Sequence, residues 1–204
     1  MGNLFGSSSA KAASKEAIST ASKGFSTSND SGDRQIAYFA GGCFWGIEHA
    51  FQIASGVITA ESGYQQGRTE NPTYKQICRG DTGHAESVRV TFDPKTITYR
   101  QLLQGFFLMH DPTQVDRQGP DYGTQYRSGI YCETSDQLKE AQDFVAEMQP
   151  RFSKPIATEV EMAKKFWIAE DYHQDYVENT GRPCHGGNPW PRVFGNTYEQ
   201  VRKI

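Results

Sequence analysis

A thiol stands between a glycine pair and two large aromatics in Gly41-Gly42-Cys43-Phe44-Trp45-Gly46. The residues before it, Ile36-Ala37-Tyr38-Phe39-Ala40, read as a short buried strand. After it, Phe44, Ile47, Phe51 and Ala54 recur at helical spacing. This order predicts Cys43 at the first turn of a helix, where unpaired backbone N–H groups and the helix dipole favour an anion. A thiol with an ordinary pKa of about 8.5 is lowered at such a position, and the thiolate is the nucleophile. Cys43 is therefore expected to be a reactive cysteine of low pKa.

Other residue types could serve that thiol. Alternation over 86–92 puts Glu86 on the same face as Val88, Val90 and Phe92. A carboxyl opening an apolar stripe is desolvated, its pKa rises, and it stays a neutral acid near neutrality, able to donate a proton. At the strand edge it could instead turn back to solvent. Tyr74, in Asn71-Pro72-Thr73-Tyr74, and Tyr126, in Gly123-Thr124-Gln125-Tyr126-Arg127-Ser128, offer phenols to a polar substrate oxygen. Taken singly, each also fits half-buried packing. Asp121, in Gly119-Pro120-Asp121-Tyr122-Gly123, reads by itself as a turn residue. Phe44 fits the core stripe, whereas Trp45 falls off it and could wall an apolar pocket for a small alkyl group. His173 either pairs with the thiol or is a structural helix histidine. Cys184 sits in a Gly/Pro-rich stretch, Thr180-Gly181-Arg182-Pro183-Cys184-His185-Gly186-Gly187, from which it could attack an oxidised Cys43 and close a disulfide. Cys78 and Cys132 read as small buried hydrophobes.

The elements that must position these groups alternate. Strands are predicted at 35–41, 57–64, 86–92, 124–132 and 156–163. Helices are predicted at 43–54, 99–110, 136–149 and 168–178, with a helical turn at 73–79. Thr98 caps the second helix, whose buried stripe is Leu102, Leu103, Phe106 and Phe107; Ser135 caps the third. The order predicts an α+β, two-layer sandwich with a ferredoxin-like (split βαβ) core. Residues 35–204 form one domain, with 179–204 an irregular tail. Residues 1–34 read as a flexible extension, since nine of the first 31 residues are Ser and periodic hydrophobicity is absent. Met1-Gly2-Asn3-Leu4-Phe5-Gly6 is close to a myristoylation signal but has Gly6 where Ser or Thr belongs. A transit peptide is the other reading, although the first arginine is Arg34.

Composition removes several function classes. The chain has 204 residues, 36% hydrophobic and 22% charged, enough for one domain with a sizeable core. A net charge of -3 gives no reason to expect nucleic acid or an anionic membrane as partner. No apolar run reaches the roughly 18 residues a membrane span needs. The four cysteines are widely spaced and form no CxxC pair, so neither a disulfide scaffold nor a zinc site is expected.

Taken together, the blocks resemble methionine sulfoxide reductase A, the peptide methionine (S)-S-oxide reductase family. The carriers are residues 42–46, Asn71-Pro72-Thr73-Tyr74, Gly80-Asp81-Thr82-Gly83-His84-Ala85-Glu86, His110-Asp111-Pro112-Thr113, residues 123–128, and Ala169-Glu170-Asp171-Tyr172-His173-Gln174. They stand in order over about residues 35 to 185. The resemblance implies that Cys43 attacks the sulfoxide sulfur and Glu86 supplies a proton to its oxygen. Tyr74 and Tyr126 would hydrogen-bond that oxygen, Asp121 would act through water, and Phe44 and Trp45 would hold the S-methyl group. It also implies a Cys43 sulfenic acid resolved by Cys184 to a disulfide that thioredoxin or a similar dithiol reduces. Some family members carry a second tail cysteine; here none follows Cys184. No metal, flavin or nicotinamide is expected. Substrates would be oxidised proteins, peptides and free methionine sulfoxide. A monomer in the cytoplasm is the expectation, with a mitochondrial or N-acylated form as the alternative. Two rival functions are a thiol peroxidase and a non-catalytic binder of oxidised methionine.

Overall fold

The computed structural model describes residues 34–182, 184 and 187–195. The Ser-rich extension, with its acylation and transit-peptide readings, lies outside the described residues. So do Pro183, His185, Gly186 and residues 196–204.

In chain order the first half comprises β1 (Gln35–Gly41), α1 (Phe44–Gln52), β2 (Val57–Gln65), α2 (Tyr74–Ile77), β3 (Ala85–Phe92) and α3 (Tyr99–Met109). The second comprises β4 (Arg117–Gln118), β5 (Asp121–Tyr122), β6 (Ser128–Cys132), α4 (Ser135–Met148), β7 (Glu159–Met162), β8 (Trp167–Ile168), α5 (Tyr176–Thr180) and α6 (Trp190–Phe194). Six strands form one sheet in the order β7-β6-β1-β3-β2-β8, and β4 and β5 make a separate ribbon. All neighbours in the large sheet are antiparallel except the parallel pair β6 and β7. The fold is thus mixed α and β around a mainly antiparallel sheet.

The strand period of two decides which face holds the core. Ala37 and Phe39 of β1, Val88, Val90 and Phe92 of β3, and Ile130 and Cys132 of β6 point to one side. There they meet Phe44, Ile47 and Phe51 of α1, Leu102, Leu103 and Phe106 of α3, and Ala141 and Phe144 of α4. The opposite parity, Tyr38, Ala40, Ala85 and Tyr131, packs under Phe166 and Ala163 from the link between β7 and β8. Thr98 caps α3 and Thr134, one residue before the expected Ser135, caps α4; each side chain accepts an N–H from the first turn.

Four expectations need correction. The strand predicted over 124–132 starts at Ser128. Residues 124–126 form a 3-10 turn, entered through Gly123 at φ +138°. The helix predicted over 168–178 is replaced by β8, a 3-10 turn at 171–173 and the short α5. Its side chains bond elsewhere: Glu170 accepts from Tyr64 and Tyr74, and Gln174 brackets both backbone groups of Ser62. Asp175 then turns left-handed at φ +55°. The tail expected to be irregular contains α6. Cys78, expected to be buried, is exposed, because α2 is a single turn that buries only Ile77.

Candidate active site

The position of Cys43 follows from the joint between β1 and α1. Gly42 adopts φ +93°, and a Cβ there would stand 2.6 Å from Gln118 Cβ, so the sharp turn admits only glycine. Cys43 is the residue immediately before α1, not inside its first turn as expected. The first free N–H of that helix, from Phe44, donates to Glu86 Oε2 at 3.1 Å. Glu86 therefore sits at the mouth of α1 beside Cys43. It is 2% exposed, which settles the choice between core and solvent in favour of the core. Burial pushes its pKa up to about 8, opposed by the Phe44 N–H and assisted by the nearby Asp121 and Cys184. At neutrality it is a protonated, hydrogen-bond-donating acid.

Both phenols surround this acid. Tyr126 is pushed up to about 12 by burial and then by Glu86, Cys78, Asp121 and Cys43. Tyr74 is raised further by burial, Glu86 and Tyr126. Each therefore remains a neutral O–H donor. Tyr74 is held from behind, since its backbone N–H donates to Glu170 Oε1 at 2.8 Å while Tyr64 O–H donates to Glu170 Oε2 at 2.7 Å. Asp121 is more than a turn residue. With Cys43, Gly41, Ile47, Met109, Gln118 and Gly119 it lines a cavity of about 70 Å³. Gln118 fixes that wall by bonding both backbone groups of Asp111, at 3.1 and 2.9 Å.

Phe44 is fully buried, with its ring 5.9 Å from Tyr64 and 5.1 Å from His173. Trp45 is half-buried and faces outward beside it. Its indole N–H donates to His173 Nδ1 at 3.0 Å, and its ring stacks on Tyr176 at 3.7 Å and 9°. The alternative of a Cys43–His173 pair is thus answered: His173 accepts from Trp45, is buried, and has its pKa lowered by that burial. It is a neutral prop for the indole. Tyr176, Gln118 and Glu170 went unassigned a role in sequence. Glu170 lay inside a quoted block, whereas a lone Tyr or Gln carries no pattern.

Cys184, although far along the chain, hydrogen-bonds to the Cys43 thiol. This contact overturns the low-pKa expectation. The Cys184 hydrogen bond, then burial, then the neighbouring Glu86 hold Cys43 well above the usual thiol range; only the Trp45 N–H pulls the other way. The helix N-terminus is outweighed because its first N–H is given to Glu86. Cys78, at the rim, hydrogen-bonds with Tyr74, while Cys132 is fully buried beside Tyr99. Among the described residues no group of three or more His, Cys, Asp or Glu is placed to hold a metal, and no helix is long and apolar enough to cross a membrane.

A family model described as peptide methionine sulfoxide reductase matches residues 35–188. A peptide methionine sulfoxide reductase MsrA of Pasteurella multocida is 54% identical over 143 residues, 70% of this chain and 82% of the relative. The crystal structure of Mxr1 from Saccharomyces cerevisiae in reduced form superposes with a TM-score of 0.72 at 37% identity, covering 76% of this chain and 90% of that one. Mxr1 in complex with Trx2 superposes at 0.52 and 28% identity, covering 75% and 87%. The matched span contains the thiol, the acid, both phenols and Cys184, and the chain belongs to the peptide methionine sulfoxide reductase family.

Proposed function

We propose that this reductase acts on the S epimer of methionine sulfoxide, free and in peptides, with Cys43 as nucleophile and Glu86 as proton donor. The observation that carries the reading is the buried, protonated Glu86 held on the N–H of the residue next to Cys43. The sulfoxide oxygen is received by Glu86, Tyr74 and Tyr126, with Asp121 acting through water, and the S-methyl group lies against Phe44 and Trp45. Cys43 sulfur attacks the sulfoxide sulfur as Glu86 protonates the oxygen. Methionine leaves as the thioether, the oxygen ends on Cys43 as S–OH, and the thiol proton restores Glu86. Cys184 then attacks the sulfenic acid: the S–S bond forms, the S–O bond breaks and water departs. A dithiol protein, thioredoxin, reduces the disulfide by exchange; the solved Mxr1–Trx2 complex supports that partner. Every electron comes from thiols, so the scheme uses no metal, flavin or nicotinamide. The peroxidase and binder readings draw no support from a site where acid, phenols and second thiol converge on one sulfur.

The core strands β6-β1-β3-β2, all antiparallel, with α1 and α3 as their crossovers, support the ferredoxin-like reading of the fold.

The epimers supply the test. With dithiothreitol as donor and separated S and R sulfoxides of one peptide, turnover is expected for S alone. Equal turnover of R, or none of either, overturns the reading. Trp45→Ala, by opening the methyl-binding wall, is expected to raise KM about tenfold or more and to change kcat less. The magnitude follows from the roughly 1–3 kcal/mol that a methyl-sized contact contributes in an apolar pocket.

A further inference from the structure

Cys184 lies three residues after Gly181, where α5 ends, and six before Trp190, where α6 begins. Both flanks are attached to the helix that starts at the nucleophile. On the near side, Tyr176 stacks on Trp45, and Asp175 N–H donates to Glu48 of α1 at 3.1 Å. On the far side, Trp190 is 3% exposed and its indole N–H donates to the carbonyl of Ala50, also in α1. Its ring packs 5.8 Å from Phe51 and fills a notch in α3 that exists only because residue 105 is glycine. A Cβ at Gly105 would stand 2.5 Å from two ring atoms of Trp190. Asn188 Oδ1 accepts from Trp190 N–H at 3.0 Å, and Val193 is buried one turn on. Trp190 itself lies beyond residue 188, the last matched by the family model.

We propose that Trp190 is a positioning residue for the resolving step: docked in the Gly105 notch, it pins the far end of the segment that presents Cys184 to Cys43. A segment fixed at both ends samples a small volume, and the effective concentration of its thiol at the target is high. Released at one end, the same thiol spreads over a larger volume and meets the sulfenic acid less often. The first step, oxygen transfer to Cys43, takes no proton and no oxygen-binding group from this segment; Cys184 bears on it only by raising the pKa values of Cys43 and Glu86. The inference rests on the reading of Cys43 as nucleophile and Cys184 as resolving thiol.

The test separates the two steps. Reduced full-length enzyme is mixed with excess S-sulfoxide peptide and no reductant. Methionine release reports step one; loss of both thiols, against trapping of the sulfenic acid by dimedone, reports step two. In Trp190→Ala the methionine burst is expected to keep its full amplitude and to remain faster than disulfide closure, although its rate can shift as Cys184 leaves the Cys43 thiol. Disulfide closure is expected to slow at least tenfold, with a dimedone adduct that wild type does not accumulate. Trp190→Phe keeps the ring in the notch and should stay near wild type. Gly105→Ala evicts the ring while improving the helix propensity of α3, so it should reproduce the slow closure without the risk of a cavity. Closure at the wild-type rate in both Trp190→Ala and Gly105→Ala overturns the anchor. Wild type that releases methionine but forms no Cys43–Cys184 disulfide overturns it as well. Absence of the methionine burst in wild type is a separate failure: it removes the proposed function and the anchor's role with it.

Discussion

Cys43→Ser is expected to abolish sulfoxide turnover, by a factor on the order of 10,000 to 1,000,000, the scale on which removal of an enzymic nucleophile acts. The reason lies in the bond that must form. Sulfur accepts the sulfoxide oxygen as a sulfenic acid, a stable step on the cysteine oxidation ladder. A serine would have to form an O–O bond, and its hydroxyl is also far less acidic than a thiol. The variant should not fail by unfolding. Cys43 occupies the N-cap position of α1, where its sulfur takes only a weak contact from the Trp45 N–H, and serine is among the preferred residues there. The expected outcome is an unchanged or slightly raised Tm, no methionine formed with dithiothreitol, and no dimedone adduct. Residual turnover at a tenth of wild type would remove Cys43 from the role of nucleophile.

The contrast between expected and observed acidity of this thiol shows what a sequence conveys about a site. Local patterns carried the strand–glycine–helix joint, because the apolar period and the glycine pair are both local. Parity carried Glu86 into the core, because a strand's side chains alternate whatever surrounds them. The thiol's pKa was not local. It depends on Cys184, whose approach no period encodes, and on Glu86 taking the helix N–H that would have favoured an anion. The segment 169–175 misled for a related reason. Its composition suits a helix, but Glu170 and Gln174 bond residues about a hundred positions away. Cys78 was placed inside as a small hydrophobe beside Ile77 on a short helical turn, yet that single turn buries Ile77 alone. Tyr176 and Gln118 support the site through tertiary contacts alone and were invisible beforehand.

The raised Cys43 pKa also bears on how protons move, and Glu86→Gln tests that directly. With both thiols reduced, Cys43 is a neutral thiol and Glu86 a neutral acid at neutrality. The pair holds two protons; in the proposed scheme one goes to the sulfoxide oxygen and the other replaces it on the carboxylate. Glutamine keeps a carbonyl to accept the Phe44 N–H and an N–H to touch the sulfoxide oxygen, but it transfers no proton. The expected loss in kcat is about 100- to 10,000-fold, the usual range for a general acid. The pH profile gives the sharper signature. As the proposed proton donor Glu86 would act in its protonated form, and burial pushes its pKa up to about 8, so wild-type kcat should fall as pH rises through that value. The glutamine variant should lack the descending limb. Stability moves with the same sign. A carboxyl whose folded pKa exceeds its unfolded one favours folding fully below the unfolded value and loses that contribution as pH rises through the folded value. Wild-type Tm should therefore decline between about pH 4.5 and pH 8, and the variant's decline should be shallower. A variant that is more stable at alkaline pH and nearly inactive would show that burial of this carboxyl is held against stability for its proton. A variant that keeps wild-type kcat and the same alkaline limb would assign the proton to another group, and Tyr126, raised to about 12 beside the same oxygen-binding wall, would be the next to test.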